Sequence, residues 1–114
     1  MRVYKRADFL QLPAGTVYCA GGEWFFGGIC FKGDTMGNDW SVLDPAWVDG
    51  KDSGECFARL GEMLDDGVSY PMEEDYGRDG LFDEGQIFLV FEGSDLKNLR
   101  GMIDKSIEVC EGKT

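Results

Sequence analysis

Apolar positions along the chain keep two rhythms, and the change falls near residue 52. Before it, apolar residues come in short runs broken by glycine, the punctuation of strands and turns. Val3–Leu12 opens extended and then turns helical over Asp8–Leu12, where Pro13 should stop it. Thr16-Val17-Tyr18-Cys19-Ala20 is β-branched and aromatic and reads as a strand. Gly21-Gly22 then makes a hairpin-type break. Glu23–Lys32 reads as one or two strands with a bulge at Gly27-Gly28. Asp34 to Asp39 reads as a polar turn, and Trp40–Val48 as a strand or extended segment bent at Pro45.

After residue 52 the period lengthens. Cys56, Phe57, Leu60, Met63 and Leu64 form one stripe at helical spacing. They predict a helix from Ser53 to about Leu64, opened by a capping box of Asp52 and Glu55. Val68–Gly85 is a long acidic loop. Gln86–Phe91 is a continuous apolar run, predicting a strand buried on both faces and therefore inside the sheet. Leu96, Leu99, Met102, Ile103, Ile107 and Cys110 predict a last helix, with Ser94 as its cap.

Strands first and helices afterwards indicate an α+β fold. The expectation is a small, mostly antiparallel sheet with two helices packed on one face, in a single domain over residues 1–114. A strand lying between two helices leaves room for a mixed sheet.

Composition narrows the function classes. At 43 % hydrophobic and 13 % aromatic, the chain is too apolar for a disordered protein. No run approaches the ~20 apolar residues of a membrane span, and no apolar segment follows the basic start to make a signal peptide. A cytoplasmic protein is expected. The 22 acids against 11 bases give a net charge of −11. That charge opposes direct nucleic-acid binding and anionic membranes, and favours basic partners. Cys19, Cys30, Cys56 and Cys110 have no CxxC spacing and no His beside them, so reduced thiols are expected and zinc is not.

The densest chemistry is acidic. Glu62–Glu84 holds nine acids, including Asp65, Asp66, Glu73, Glu74, Asp75, Asp79, Asp83 and Glu84, against Arg78 alone. Such a run is either a solvated surface or a docking face for a basic partner. It fails the Ca²⁺ loop pattern, because counting back from Gly80 puts Gly77 at the third position and Gln86 at the twelfth. No metal or cofactor is expected. Without His there is no Ser-His or Cys-His nucleophile, and no glycine-rich phosphate loop is present. An enzyme is not expected. The aromatics offer a second chemistry. Trp24, Phe26, Trp40 and Trp47 could wall a small-ligand site, with Arg78 or Lys32 reading an anion. Phe25 and Phe26, being consecutive, should face opposite sides of the sheet.

Val3-Tyr4-Lys5-Arg6-Ala7-Asp8-Phe9-Leu10-Gln11-Leu12-Pro13-Ala14-Gly15-Thr16-Val17-Tyr18, Asp52-Ser53-Gly54-Glu55-Cys56, Ser69-Tyr70-Pro71 and Tyr76-Gly77-Arg78-Asp79-Gly80 resemble small uncharacterised proteins of tailed bacteriophages and prophages. The resemblance implies an accessory protein acting in the bacterial host cytoplasm, and carries over no site residues. The leading expectation is binding of a basic host or phage protein through the eight acids Asp65 to Glu84, imitating nucleic-acid charge in an anti-defence role. A nucleotide-type binding module or sponge and a virion-associated structural subunit are the alternatives. Oligomeric state is open at this level.

Overall fold

The computed structural model describes residues 1–22, 25–48, 50–72, 74–78 and 83–112, with the Arg78 side chain outside the description. Its elements are β1 (Arg2–Lys5), α1 (Arg6–Phe9), β2 (Val17–Gly21), β3 (Phe26–Met36), β4 (Asp39–Leu43), α2 (Ser53–Asp66), β5 (Gly77–Arg78), β6 (Ile87–Val90) and α3 (Gly93–Cys110). The strands form one six-stranded sheet in the order β1-β6-β2-β3-β4-β5. Every neighbouring pair is antiparallel, so the sheet is not mixed. β6 lies between β1 and β2, inside the sheet as expected, but only one of its faces is buried: Phe88 and Val90 are covered, whereas Ile87 and Leu89 are half-buried.

β3 is longer than its sequence suggests. Its pairing with β4 continues to Met36↔Asp39, leaving only Gly37 and Asn38 as the turn. Gly37 takes φ +65°, which a two-residue hairpin with glycine in first place uses. Asp34 and Thr35 therefore belong to a strand rather than to a polar turn.

Two extra residues in β3 shape the core. Between Phe26 and Ile29 the strand gains one residue on β2, at Gly27-Gly28, where the glycine pair predicts a bulge. Between Lys32 and Thr35 it gains another on β4, at Gly33-Asp34. A Cβ on Gly33 would stand 2.7 Å from the Ser41 Cβ, so only glycine fits this close approach. Bulges bend the strand that carries them. The bend is visible in the packing: the Trp40 ring on β4 is 5.4 Å from the Phe88 ring on β6, although β2 and β3 lie between. Across a flat sheet three strand spacings would hold them roughly 14 Å apart. The sheet is coiled, and the core fills its concave side.

That core is Phe9, Tyr18, Trp40, Phe88 and Val90. Phe9 comes from α1, a single turn ending before Pro13, and stacks on Phe88 at 3.9 Å. Trp40 Nε1 donates to the Tyr18 hydroxyl at 2.8 Å, which satisfies the indole inside the apolar cluster. Thr35 Oγ1 donates to the Leu10 carbonyl at 2.8 Å and ties the end of α1 to β3.

The α+β class stands, but α1 is the helix that fills the sheet's concavity. The two long helices expected on one face, α2 and α3, contain no buried residue. Asp52 caps α2 by accepting from the Glu55 amide at 2.8 Å, and Gly67 ends it at φ +68°. The cap of α3 is Glu92 rather than Ser94. Glu92 and Asp95 form a reciprocal capping box, which satisfies two amide donors where Ser94 would satisfy one. The Met1 ammonium adds contacts of 2.8 Å to Asp95 and 3.2 Å to Glu92. Hydrogen bonding to those carboxylates raises the amino group's pKa, and the same contact lowers that of Asp95.

Candidate functional site

The acidic candidates fall into three groups. Asp65 and Asp66 end α2, where no basic residue occupies the last turn. Their charge adds to the negative end of the helix dipole, an arrangement that favours a cation brought from outside. The loop after Gly67 folds back on α2: Tyr70 donates its hydroxyl to Glu62 Oε2, and Arg59 lies 5.2 Å from the Tyr70 ring centre. The hydrogen bond to Glu62 raises the Tyr70 pKa.

Glu74 and Asp75 follow, just before β5 pairs with β4 through Ser41↔Arg78 and Val42↔Gly77. This pairing brings Asp75 and Tyr76 against the end of β4. Val42, Leu43, Asp44, Trp47, Asp75, Tyr76 and Gly77 line a notch of about 210 Å³. Trp47 and Tyr76 are about half exposed there. The notch thus combines two carboxylates with two aromatic rings, a chemistry that suits a cationic side chain.

Asp83 and Glu84 form the third group. Asp83 Oδ1 accepts from the Gly85 amide at 2.9 Å and shapes the turn into β6. Glu84 lines a different concavity with Lys5, Arg6, Ala7, Leu10 and Asn38. Glu73 and Asp79 lie outside the described residues. Asp65, Asp66, Glu74, Asp75, Asp83 and Glu84 are all exposed. The ion pairs of Met1 with Glu92 and Asp95 and of Arg59 with Glu55 involve none of these six.

The aromatic ligand wall does not assemble as expected. Trp40 is fully buried in the core with its Nε1 bonded, so it is not a ligand surface. Trp24 lies outside the described residues, as does the Arg78 side chain. Phe26 belongs to the β2–β3 hairpin, opposite Gly21, and Trp47 belongs to the β4–β5 notch. Phe25 is 73 % exposed and Phe26 36 %. What sequence reasoning missed is Asp44 and Tyr76 beside Trp47. They are 32 positions apart, and only the short β4–β5 pairing joins them.

Among the described residues, no group of three or more His, Cys, Asp or Glu is placed to hold a metal ion. None of the four cysteines is joined in a disulfide, and burial raises the Cys19 pKa. No described helix is long and apolar enough to cross a membrane.

Lys32 is a buried cation, 1 % exposed, with Nζ donating to Thr35 Oγ1 at 2.6 Å and to the Gly33 carbonyl at 3.2 Å. Burial lowers its pKa, and the Asp34 charge opposes that shift in part. The folded state therefore binds this proton less tightly than the unfolded chain does. Stability should rise with pH up to the unfolded lysine value of about 10.4. Lys32→Met keeps the stem and removes the charge. In urea titrations from about pH 7 to about pH 10, wild type should gain stability relative to this variant. A difference that is flat or declines with pH would contradict the assignment.

Comparison with protein-family models, curated proteins and solved structures returned no match.

Proposed function

We propose that this protein is a small acidic binding module that docks a basic protein through the carboxylates of residues 65–84. The notch between β4 and β5 is its most specific point. A partner's Arg or Lys enters it, with the cation over Trp47 and its donors toward Asp44 and Asp75. The observation that carries this reading is the pairing of two half-exposed aromatics with two exposed acids in one concavity. Six candidate carboxylates outside the ion pairs of Met1 and Arg59 supply the longer-range attraction.

In its sharpest form the acids imitate phosphate charge and occupy an Arg/Lys groove that otherwise takes nucleic acid. The setting we propose, on the resemblance of the opening segment, is a bacterial host carrying a phage, with a host or phage protein as the partner.

Capture from a bacterial lysate on the immobilised chain tests this. Screening shortens from a reach of about 10 Å at 0.1 M salt to about 3 Å at 1 M. A partner held at low salt should be released at high salt. Asp75→Asn and Trp47→Ala should each weaken capture, and duplex DNA should compete for the retained protein. Equal retention at both salt concentrations, with no effect of either variant, would remove the proposal.

A further inference from the structure

An 18-residue helix with none of its residues buried needs a reason to remain a helix. Most helical stability in proteins comes from a packed apolar face rather than from helix propensity. α3 carries such a face. Met102 is 64 % exposed, Ile103 51 % and Ile107 48 %. Leu99 continues the stripe one turn earlier and is half-buried. The N-terminus of α3 is fixed by its direct connection to β6, its capping box and the Met1 ammonium. Its far half therefore projects from an anchored base.

The molecule's surface gives the scale of what is missing. The chain exposes 8102 Å². A folded monomer of this mass should expose roughly 6,200 Å², so the surplus is about 1,900 Å². The Cα radius of gyration is 16.3 Å, against about 13 Å for a compact chain of this length. A standard protein interface takes about 800 Å² from each partner, and permanent homodimers take more. That surplus is spread over the whole chain, including the α2 stripe at Phe57 and Leu64, and the α3 face is one part of it.

Charge identifies the partner. The chain carries −11 overall, and two copies should repel. α3 itself carries no net charge: Lys97, Arg100 and Lys105 balance Asp95, Asp104 and Glu108. A second copy meeting α3 with α3 finds apolar residues on a helix without net charge, while the acidic segments stay outside. A basic partner would gain nothing electrostatically from this helix.

We propose that α3 is a self-association helix, and that Leu99, Met102, Ile103 and Ile107 pack against the same residues of a second copy. Such a pair is isologous, closes on itself, and presents two acidic surfaces from one particle.

Light scattering and sedimentation velocity on the full chain test it. Wild type should have twice the chain mass at micromolar concentration. Ile103→Glu should weaken the pair by at least about thirtyfold, the size of a central interface residue's contribution. Ile103→Ser tests the same point without an added charge. Asn98→Ala lies about 140° around the helix from Ile103, changes no charge, and should leave the dimer intact. Far-ultraviolet circular dichroism and the buried Trp40 fluorescence report whether each variant keeps its fold. A wild-type monomer at every concentration overturns the proposal. So does a dimer that survives both Ile103 variants with the fold retained.

Discussion

Phe9→Ala should cost about 3–5 kcal/mol of folding stability, the range for removing a fully buried phenylalanine. The reason lies in where the fold keeps its core. Phe9 is fully buried. It stacks on Phe88 at 3.9 Å and meets Tyr18 and Trp40 edge-on at 4.7 and 5.1 Å. Tyr18, Trp40 and Phe88 are held by strands, but Phe9 reaches them from a helix of one turn. That turn cannot follow a collapsing cavity, because Thr35 pins it at the Leu10 carbonyl.

The contrast that makes the prediction sharp is Phe57→Ala. Phe57 lies on the apolar stripe of α2, and sequence alone would rank it beside Phe9. It is 71 % exposed, so truncation should change stability by no more than about 0.5 kcal/mol. Alanine's helix propensity would make any shift favourable. Small single domains hold only about 5–15 kcal/mol in total. The Phe9 variant should therefore lose roughly 10–20 °C in thermal midpoint. Calorimetry of the two variants compares them directly. Equal losses would mean that α2 contributes to the core, and that the coiled sheet with α1 is not the stable unit.

How far the sequence predicts this arrangement depends on the range of the interactions involved. β2, α2 and β6 follow from local chemistry: β-branched runs, an N-cap aspartate and an unbroken apolar segment. The bulge at Gly27-Gly28 is legible for the same reason, since the glycine pair interrupts an aromatic strand. The extension of β3 to Met36 is not. Asp34 and Thr35 look like turn residues, and their strand state depends on pairing with β4 across a second bulge. Trp40 shows the same limit. An indole among polar neighbours reads equally as a ligand wall or as core, and only the coiling of the sheet decides for core. The stripe on α3 is legible as helix, but helical period does not say whether the stripe meets the chain's own sheet or something else. At the candidate site the acids were visible as a run, while the meeting of Asp44 with Tyr76 was not. A two-residue strand carries no pattern from which the β4–β5 pairing could be read.

Arg6 follows from the same coiled geometry, and its replacement should be the second most damaging. Its side chain is 6 % exposed, and Cζ lies 4.8 Å from the Trp40 ring centre. One guanidinium nitrogen donates to Gln86 Oε1 at 3.1 Å and another to the Asn38 carbonyl. One planar group thus joins α1, the tip of the β3–β4 hairpin and the entry to β6. Hydrogen bonds from a charged donor contribute about 1.5–3 kcal/mol each, and a desolvated cation–π contact about 2. Desolvation of the guanidinium offsets part of that sum. Arg6→Ala should therefore cost about 2–4 kcal/mol in urea titrations. Arg6→Lys separates charge from shape. An ammonium keeps the charge but cannot present two divergent N–H groups while lying flat on the indole, so it should recover less than half of the loss. Gln86→Ala supplies the third corner. It should cost about 1 kcal/mol in wild type and almost nothing in the Arg6→Ala background, because the two share one interaction. A lysine variant as stable as wild type would assign the effect to charge alone. Additive losses from Arg6 and Gln86 would show that the hairpin tip is held by other contacts.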